Sequence, residues 1–320
     1  MKYVAGVDIG GTNTVFGLVD EQGSILCRGS VSTIENQKPE ELVRAVSENI
    51  KRLIAEQSLD ASKLQGVGIG APNGNFFKGT VEFAPNLNWF GVVPLAQLFQ
   101  QALGVPAVLT NDANAAAMGE MIFGGARDMK DFLFITLGTG LGSGIVVNGE
   151  MVYGHDGFAG EIGHVIVDVE GRQCGCGRKG CLETYCSATG ILKTYLRLKV
   201  SGLKSEDDFA AMHSAGKIDG KYIFDKAKEG ESEALEAFRK TGKILGLALA
   251  NCVVFTSPEA IFLFGGLALA GDLIFDPVRE SFERNLLNIY KGKIKILPSQ
   301  LKESEAAILG AASLVLKYHQ

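Results

Sequence analysis

The chain has 320 residues, 46% hydrophobic and 21% charged, with a net charge of −5. That length suits two domains better than one core, and the mild acidity, with no Lys/Arg-rich run, argues against a general affinity for nucleic acid. No apolar run reaches the length of a membrane span; the longest, Leu245 to Phe255, carries Gly246 and Asn251. The opening MKYVAGVDIGG breaks into Gly and Asp too early for a signal peptide, so a cytoplasmic protein with six thiols is expected.

Residues 3–9 (YVAGVDI) read as a strand with Asp8 near its end, and Gly10, Gly11 and Thr12 as a tight turn into a second strand reaching Asp20. Such a turn can bring N–H groups to a phosphate, and Asp8 beside it can hold a metal ion or its water; a plain hairpin would look the same. A third strand (24–31) precedes an amphipathic helix from Pro39 to about Gln57, with Leu42, Val46, Ile50, Leu53 and Ile54 on one face. GVGIGAP (66–72) reads as a buried strand entering an amide-rich loop, NGNFFKGTVEFAPNLNW, suited to line a polar site. A helix (94–103) and a strand (105–109) lead to Thr110, Asn111, Asp112 and an Ala-rich helix. Asn111 and Asp112 therefore sit where a strand's carboxyl end meets a helix, the ligand crevice of an open α/β sheet, although Asp there also serves as an N-cap.

Residues 132–137 and 145–147 flank GTGLGSG (138–144) and repeat the opening pattern about 130 residues on. VDIGGTNTVFGLV and ITLGTGLGSGIVV look like two copies of one phosphate-gripping hairpin, which implies two similar domains, each giving one turn to a nucleotide. Ser143 stands where G-x-G-x-x-G requires its third glycine, and no G-x-x-x-x-G-K-[ST] is present, so dinucleotide-binding and P-loop enzymes are set aside.

In the stretch 160–183, GEIGHVIVDVEGRQCGCGRKGCLE, Cys174, Cys176 and Cys181 fall within eight residues, with His164 ten residues upstream. The intervening glycines let three thiolates and one imidazole close a tetrahedral Zn²⁺ set, structural because no position stays open for water. Ordinary buried thiols or disulfides are the alternative, poorly served by a Gly-rich loop bearing Arg172, Arg178 and Lys179. Glu161 and Glu183 bracket the knot as acceptors for a polyhydroxylated ligand. Cys27, Cys186 and Cys252 are left as small hydrophobes.

A helix (184–198), a polar stretch of short helical pieces (201–230) and a long helix (232–256) follow. A strand (261–269) meets Gly265 and Gly266, a third place for backbone to approach a flat ligand such as adenine, though a strand-to-helix turn reads the same way. A helix (272–286), a strand (293–297) and a terminal helix (304–317) complete an α/β alternation.

Together, DIGGT (8–12), NDANAAA (111–117), LGTGLGSG (137–144), GEIGH (160–164) and CGCGRKGCLE (174–183) resemble the ROK sugar kinases, in that family's order and from the first strand to the last strand-helix unit. The resemblance implies an α/β, two-domain actin-like ATPase (ribonuclease H-like) fold with a central cleft. The domains are expected at 1–112, completed by the C-terminal helix (about 304–320), and at 113–303, carrying the zinc site. It also implies transfer of the γ-phosphoryl group of ATP, with Mg²⁺, to the 6-hydroxyl of a hexose. Glucose is the family expectation, with N-acetylmannosamine, fructose, mannose or allose as alternatives. By the same resemblance Asp112 is the general base, and Asn111, Asp112, Glu161, His164 and Glu183 bind the sugar, His164 giving one ring nitrogen to zinc and the other to the sugar. Asp8, Gly10, Gly11 and Thr12, with Thr139, Gly140, Gly265 and Gly266, form the phosphate, Mg²⁺ and adenosine sites. The position after Thr12, commonly Lys in the family, is Asn13, as in some N-acylmannosamine kinases. Repressor relatives carry a helix-turn-helix domain ahead of the kinase-like part; with Asp8 opening the first motif, a sugar-responsive regulator is the weaker expectation. A homo-oligomer, dimer or tetramer, with hexose and ATP as partners and neither nucleic acid nor membrane, completes the reading.

Overall fold

The computed structural model describes residues 1–200 and 218–319; most of the expected short helical pieces, those at 201–217, lie outside them. The chain runs β1 (Tyr3–Ile9), β2 (Asn13–Asp20), β3 (Ile25–Ser32), α1 (Pro39–Glu56), β4 (Leu64–Gly70), β5 (Gly74–Asn75), β6 (Thr80–Glu82), β7 (Val92–Val93), α2 (Leu95–Leu103), β8 (Ala107–Thr110) and α3 (Asp112–Phe123). It continues β9 (Phe132–Leu137), β10 (Leu141–Val147), β11 (Glu150–Met151), α4 (Ala188–Lys199), α5 (Gly220–Lys228), α6 (Ser232–Thr256), β12 (Ala260–Phe264), α7 (Asp272–Asn285), β13 (Lys295–Pro298) and α8 (Glu303–Tyr318). The residues group into two compact units, Met1–Lys130 with Gly144–Gly160 and Ser299–Gln320, and Asp131–Ser143 with Glu161–Pro298.

The first unit is built on a sheet of order β3-β2-β1-β4-β8, in which β1 is antiparallel to β2 and parallel to β4, and β4 is parallel to β8. Val7, Ile9, Phe16 and Leu18 from the sheet and Leu42, Val46 and Ile50 from α1 are buried together in one core. At Gly6 and Gly68, α8 packs so closely against β1 and β4 that no side chain fits there. A Cβ on Gly68 would collide with the carbonyl of Ala311, and one on Gly6 with that of Ile308. α3 meets α8 in the same manner, Gly119 against Gly310. These small residues hold α3, and Asp112 at its start, in the first unit, so the expected break after residue 112 falls inside that unit, in the first turn of α3.

The second sheet, β11-β10-β9-β12-β13, repeats that strand order, with β12 parallel to both β9 and β13; the division between units falls within β10. β10 begins at Leu141, four residues earlier than the sequence predicts, because much of the Gly-rich run is itself strand and only Gly138 to Gly140 form the turn. α4 starts late, at Ala188, where Ser187 caps it by accepting the N–H of Gly190. β12 stops at Phe264 because Gly265, at φ +97°, turns the chain in a way open to glycine. The amide-rich loop expected after Pro72 forms a small sheet of order β5-β6-β7 that buries Asn75. No helix among the described residues is long and apolar enough to cross a membrane.

The tight helix-on-sheet packing makes a prediction. Gly68→Ala should overpack the layer and destabilise the protein by about 2 kcal/mol, read as a lowered denaturant midpoint; an unchanged midpoint would mean the layer yields.

Candidate active site

In the first unit the parallel strands end in one row. Asp8 on β1 pairs with Gly70 on β4, and Gly70 pairs with Thr110 on β8. Asn111 and Asp112 follow at once, so the carboxyl rim of the sheet carries both Asp8 and Asp112. Gly70 lies between them: a Cβ there would sit 3.1 Å from Asp8 Oδ1 and 3.7 Å from the Cα of Asp112. The N-cap of α3 is Asn111, not Asp112; its Oδ1 accepts the N–H of Asn114 at 2.7 Å. Nδ2 remains as a donor that Asn111 can offer a ligand. Asp112 accepts the N–H of Ala113 at 2.8 Å.

Burial first, and the Asp112 carboxylate second, push the Asp8 carboxyl up to about 7. The Asp112 carboxyl is raised by burial and held back by the N–H groups at the start of α3. Asp112 is nevertheless an exposed residue by surface area, crowded by protein atoms yet open to water, so its desolvation is partial. The turn after Asp8, Gly10 to Thr12, is closed by Gly10 donating to the carbonyl of Asn13 at 3.0 Å.

In the second unit, the turn Gly138 to Gly140 is fixed from several sides. Gly138 donates to the carbonyl of Gly140 at 3.1 Å, and Ala188 at the start of α4 donates to the carbonyl of Gly138 at 2.8 Å. Thr189 Oγ1 donates to the carbonyl of Thr139 at 3.0 Å, and Gly142 donates to Thr136 Oγ1 at 3.0 Å. Leu141 donates its N–H to Glu183 Oε2 at 2.9 Å, and the same carboxylate lies where a Cβ on Gly140 would stand. Ser143 Oγ accepts the N–H of Ile162 at 3.1 Å, and Gly163 lies against the carbonyl of Leu141. The segments carrying Glu161, His164 and Glu183 are thus fastened to the first residues of β10 as well as to the cysteine loop. Gly265, following β12, lies against the backbone of Leu137, and Leu267 donates to the Leu137 carbonyl at 3.2 Å.

His164, Cys174, Cys176 and Cys181 converge, their ligand atoms all within 4.8 Å of one another. Cys176 and Cys181 sulfurs lie 3.6 Å apart, and Cys174 Sγ lies 3.7 Å from His164 Nδ1. Zinc–sulfur bonds of about 2.3 Å give a tetrahedron with edges of about 3.8 Å, so the donor set fits one such ion, and the sulfurs are too far apart for a disulfide. Gly177 (φ +87°) and Gly180 (φ +74°) supply the left-handed turns of the loop. With the cluster free of metal, burial raises the Cys174 thiol and pushes Cys181 up to about 12; for Cys176 burial is outweighed by the backbone N–H and side chain of Arg178 and by the other two thiols, bringing it down to about 6. Three adjacent sulfurs ionise together only beside a cation, which a divalent metal provides.

The sequence did not single out Arg172, read there as a charged loop residue. It is buried, donating to the carbonyls of Thr184 at 2.7 Å and Gly190 at 2.9 Å and to Thr194 Oγ1 at 2.8 Å, over the ring of Tyr185. It ties the cysteine loop to α4. A cavity of about 550 Å³ was likewise missed; Ala188, Lys221, Phe224, Phe238, Gly266 and Leu267 are among its lining residues. Gly266 was the part of it visible in the sequence; α5 is only nine residues long and stands in a largely polar stretch.

Residues 4–318 match the ROK family, and the chain belongs to it. It has the two-domain actin-like ATPase fold of the ROK kinases. It is 35% identical over 311 residues to a glucokinase of Thermotoga maritima, covering 97% of this chain and 96% of that one. The structure of a ROK family glucokinase from Streptomyces griseus in complex with glucose and AMPPNP superposes with a TM-score of 0.77 at 34% identity, over 98% of this chain and 99% of that one. A xylose repressor of Caldicellulosiruptor bescii is 30% identical over 315 residues, 98% of this chain and 78% of the repressor.

The Asp8 carboxyl gives a pH prediction. Its folded value, about 7, stands above the unfolded carboxylate's, so the folded state holds the proton more tightly; that stability is complete below the unfolded value and is lost as pH rises through about 7. In ligand-free protein, Asp8→Asn should therefore gain in Tm relative to wild type between pH 5 and 8. Parallel Tm profiles would contradict the raised value.

Proposed function

We propose that this protein is an ATP-dependent hexose kinase that transfers the γ-phosphoryl group to the 6-hydroxyl of glucose. The observation that carries the reading is the carboxylate pair on one sheet rim, Asp8 and Asp112 across Gly70, in a chain alike to glucokinases over nearly its whole length. Phosphoryl transfer asks for alignment and charge neutralisation more than for covalent chemistry. Asp112, its carboxyl raised by burial, aligns the attacking hydroxyl and takes its proton as the bond to phosphorus forms. Asn111 donates from Nδ2 to a sugar hydroxyl; Glu161, Glu183 and His164 Nε2 receive the others. His164 can serve twice because Nδ1 is the nitrogen facing Cys174.

The N–H groups of Gly11 and Thr12 and of Thr139 and Gly140 bind the phosphates, and the apolar cavity beside Gly265 and Gly266 takes the adenine. Asp8 fits Mg²⁺ or its water: an oxygen donor beside a second carboxylate is a place where a divalent charge offsets repulsion. The ion, when bound with ATP, neutralises phosphate charge. Zinc on His164, Cys174, Cys176 and Cys181 supplies rigidity and no chemistry. The cytoplasm, where ATP and free hexose meet, is the assigned compartment. A homo-oligomer fits the exposed Leu247, Val254 and Phe255 of α6.

Asp112→Asn should lower kcat for glucose by about 10²-fold or more while leaving glucose binding, measured by calorimetry, close to wild type. In a panel of hexoses with ATP, glucose should give the largest kcat/KM. A near-normal rate for the Asn variant would overturn the base assignment, and no turnover of any hexose would overturn the kinase reading.

Protein purified without chelator should contain one zinc per chain, by the one closed donor set found among the described residues. Cys176→Ser should lower both zinc content and Tm; elemental analysis finding no zinc would remove the metal from the account.

A further inference from the structure

The geometry points to a second task for Glu183: we propose that it is a positioning residue for the nucleotide's phosphates, acting through the Gly138 to Gly140 turn. The proposal rests on the kinase reading for the ligand it concerns, but its evidence lies within the second unit. Glu183 accepts the N–H of Leu141 at 2.9 Å through Oε2, and that carboxylate fills the space over Gly140, so it is committed to the turn whatever else it meets. Glycine at 140 is required for that approach, because any Cβ would displace the carboxylate.

The turn's other groups follow from this anchor. The carbonyls of Gly138 and Thr139 are taken by Ala188 and Thr189 of α4, and Gly138 and Gly142 donate inside the hairpin. The N–H groups of Thr139 and Gly140 have no protein partner among the described residues. Two adjacent N–H groups held in register form a concavity for an anion, and their directions depend on the peptide planes that Leu141 and α4 fix from either side. The backbone of Glu183 is fixed in turn: Ser187 Oγ donates to its carbonyl at 2.8 Å, and Arg172 holds the following carbonyl, that of Thr184, at 2.7 Å. Glu183 thus links the cysteine loop, the start of α4 and the phosphate turn, the first two through its backbone and the last through its carboxylate.

The test is a calorimetric titration of AMPPNP with Mg²⁺ into sugar-free wild-type, Glu183→Ala and Glu183→Gln proteins, paired with amide exchange over residues 137–144. The Ala variant should bind the analogue about tenfold more weakly and exchange faster in that segment. The Gln variant, whose carbonyl oxygen can still accept from Leu141, should stay within about threefold of wild type. A sugar ligand and nothing more would leave all three titrations and the exchange alike, which overturns the proposal. Tighter binding by the Ala variant also overturns it, because the carboxylate would then be competing with phosphate for the turn. Failure of the hexose panel sinks the kinase reading without touching the exchange result, so the two failures are separable.

Discussion

Leu141 gives its N–H to Glu183 and its carbonyl face to Gly163, and two residues later Ser143 receives the N–H of Ile162. Three segments, the turn, the GEIGH stretch and the end of the cysteine loop, are therefore built on one short stretch of strand. A charge-assisted hydrogen bond contributes about 1.5–3 kcal/mol, while a surface ion pair gives well under about 1 kcal/mol. An interaction of the first kind, Leu141 with Glu183, fastens the turn to the end of the cysteine loop, and the neutral hydrogen bond of Ile162 to Ser143 fastens the GEIGH segment; interactions of the second kind, such as Lys221 with Asp225 on α5, decorate helices and decide little.

The first unit reaches a comparable precision by different means. Its rim carboxylates are placed by close packing of backbone on backbone, through Gly6, Gly68, Gly119 and Gly310. Apolar bulk lies on the other face, where α1 and the sheet share a core. The two faces divide the work: one supplies burial, the other sets where Asp8 and Asp112 stand. Burial of Asp8 so near a second carboxylate makes its ionised form costly, which is why its carboxyl is pushed up to about 7. That cost at the rim is offset elsewhere in the unit.

Much of this was legible in the chain. The two Gly-rich turns, the strand-to-helix junction at Asn111 and Asp112 and the His/Cys set are local patterns, and residue type with spacing specifies them. The long helix over 232–256 was legible too, because twenty-five residues carry a steady apolar period. What escaped is tertiary. Nothing adjacent in sequence says that Glu183 will meet Leu141, or that Arg172 will be buried against α4, since each bond joins residues far apart along the chain. The strands β5, β6 and β7 are two or three residues long, too short for a period to show. Asn111 rather than Asp112 became the cap because the helix begins one residue earlier than the Ala-rich run suggests.

The layer formed by α8 has a consequence for biosynthesis. Residues 303–318 cover β1 and β4 and brace α3, so the sheet that the ribosome completes at Thr110 stays open on one face until nearly two hundred further residues have emerged. During that interval its glycine-lined face is an unfilled groove shaped for one helix. Completion of the aspartate rim is a late event with a large loop to close, and a chaperone has most to protect in that window.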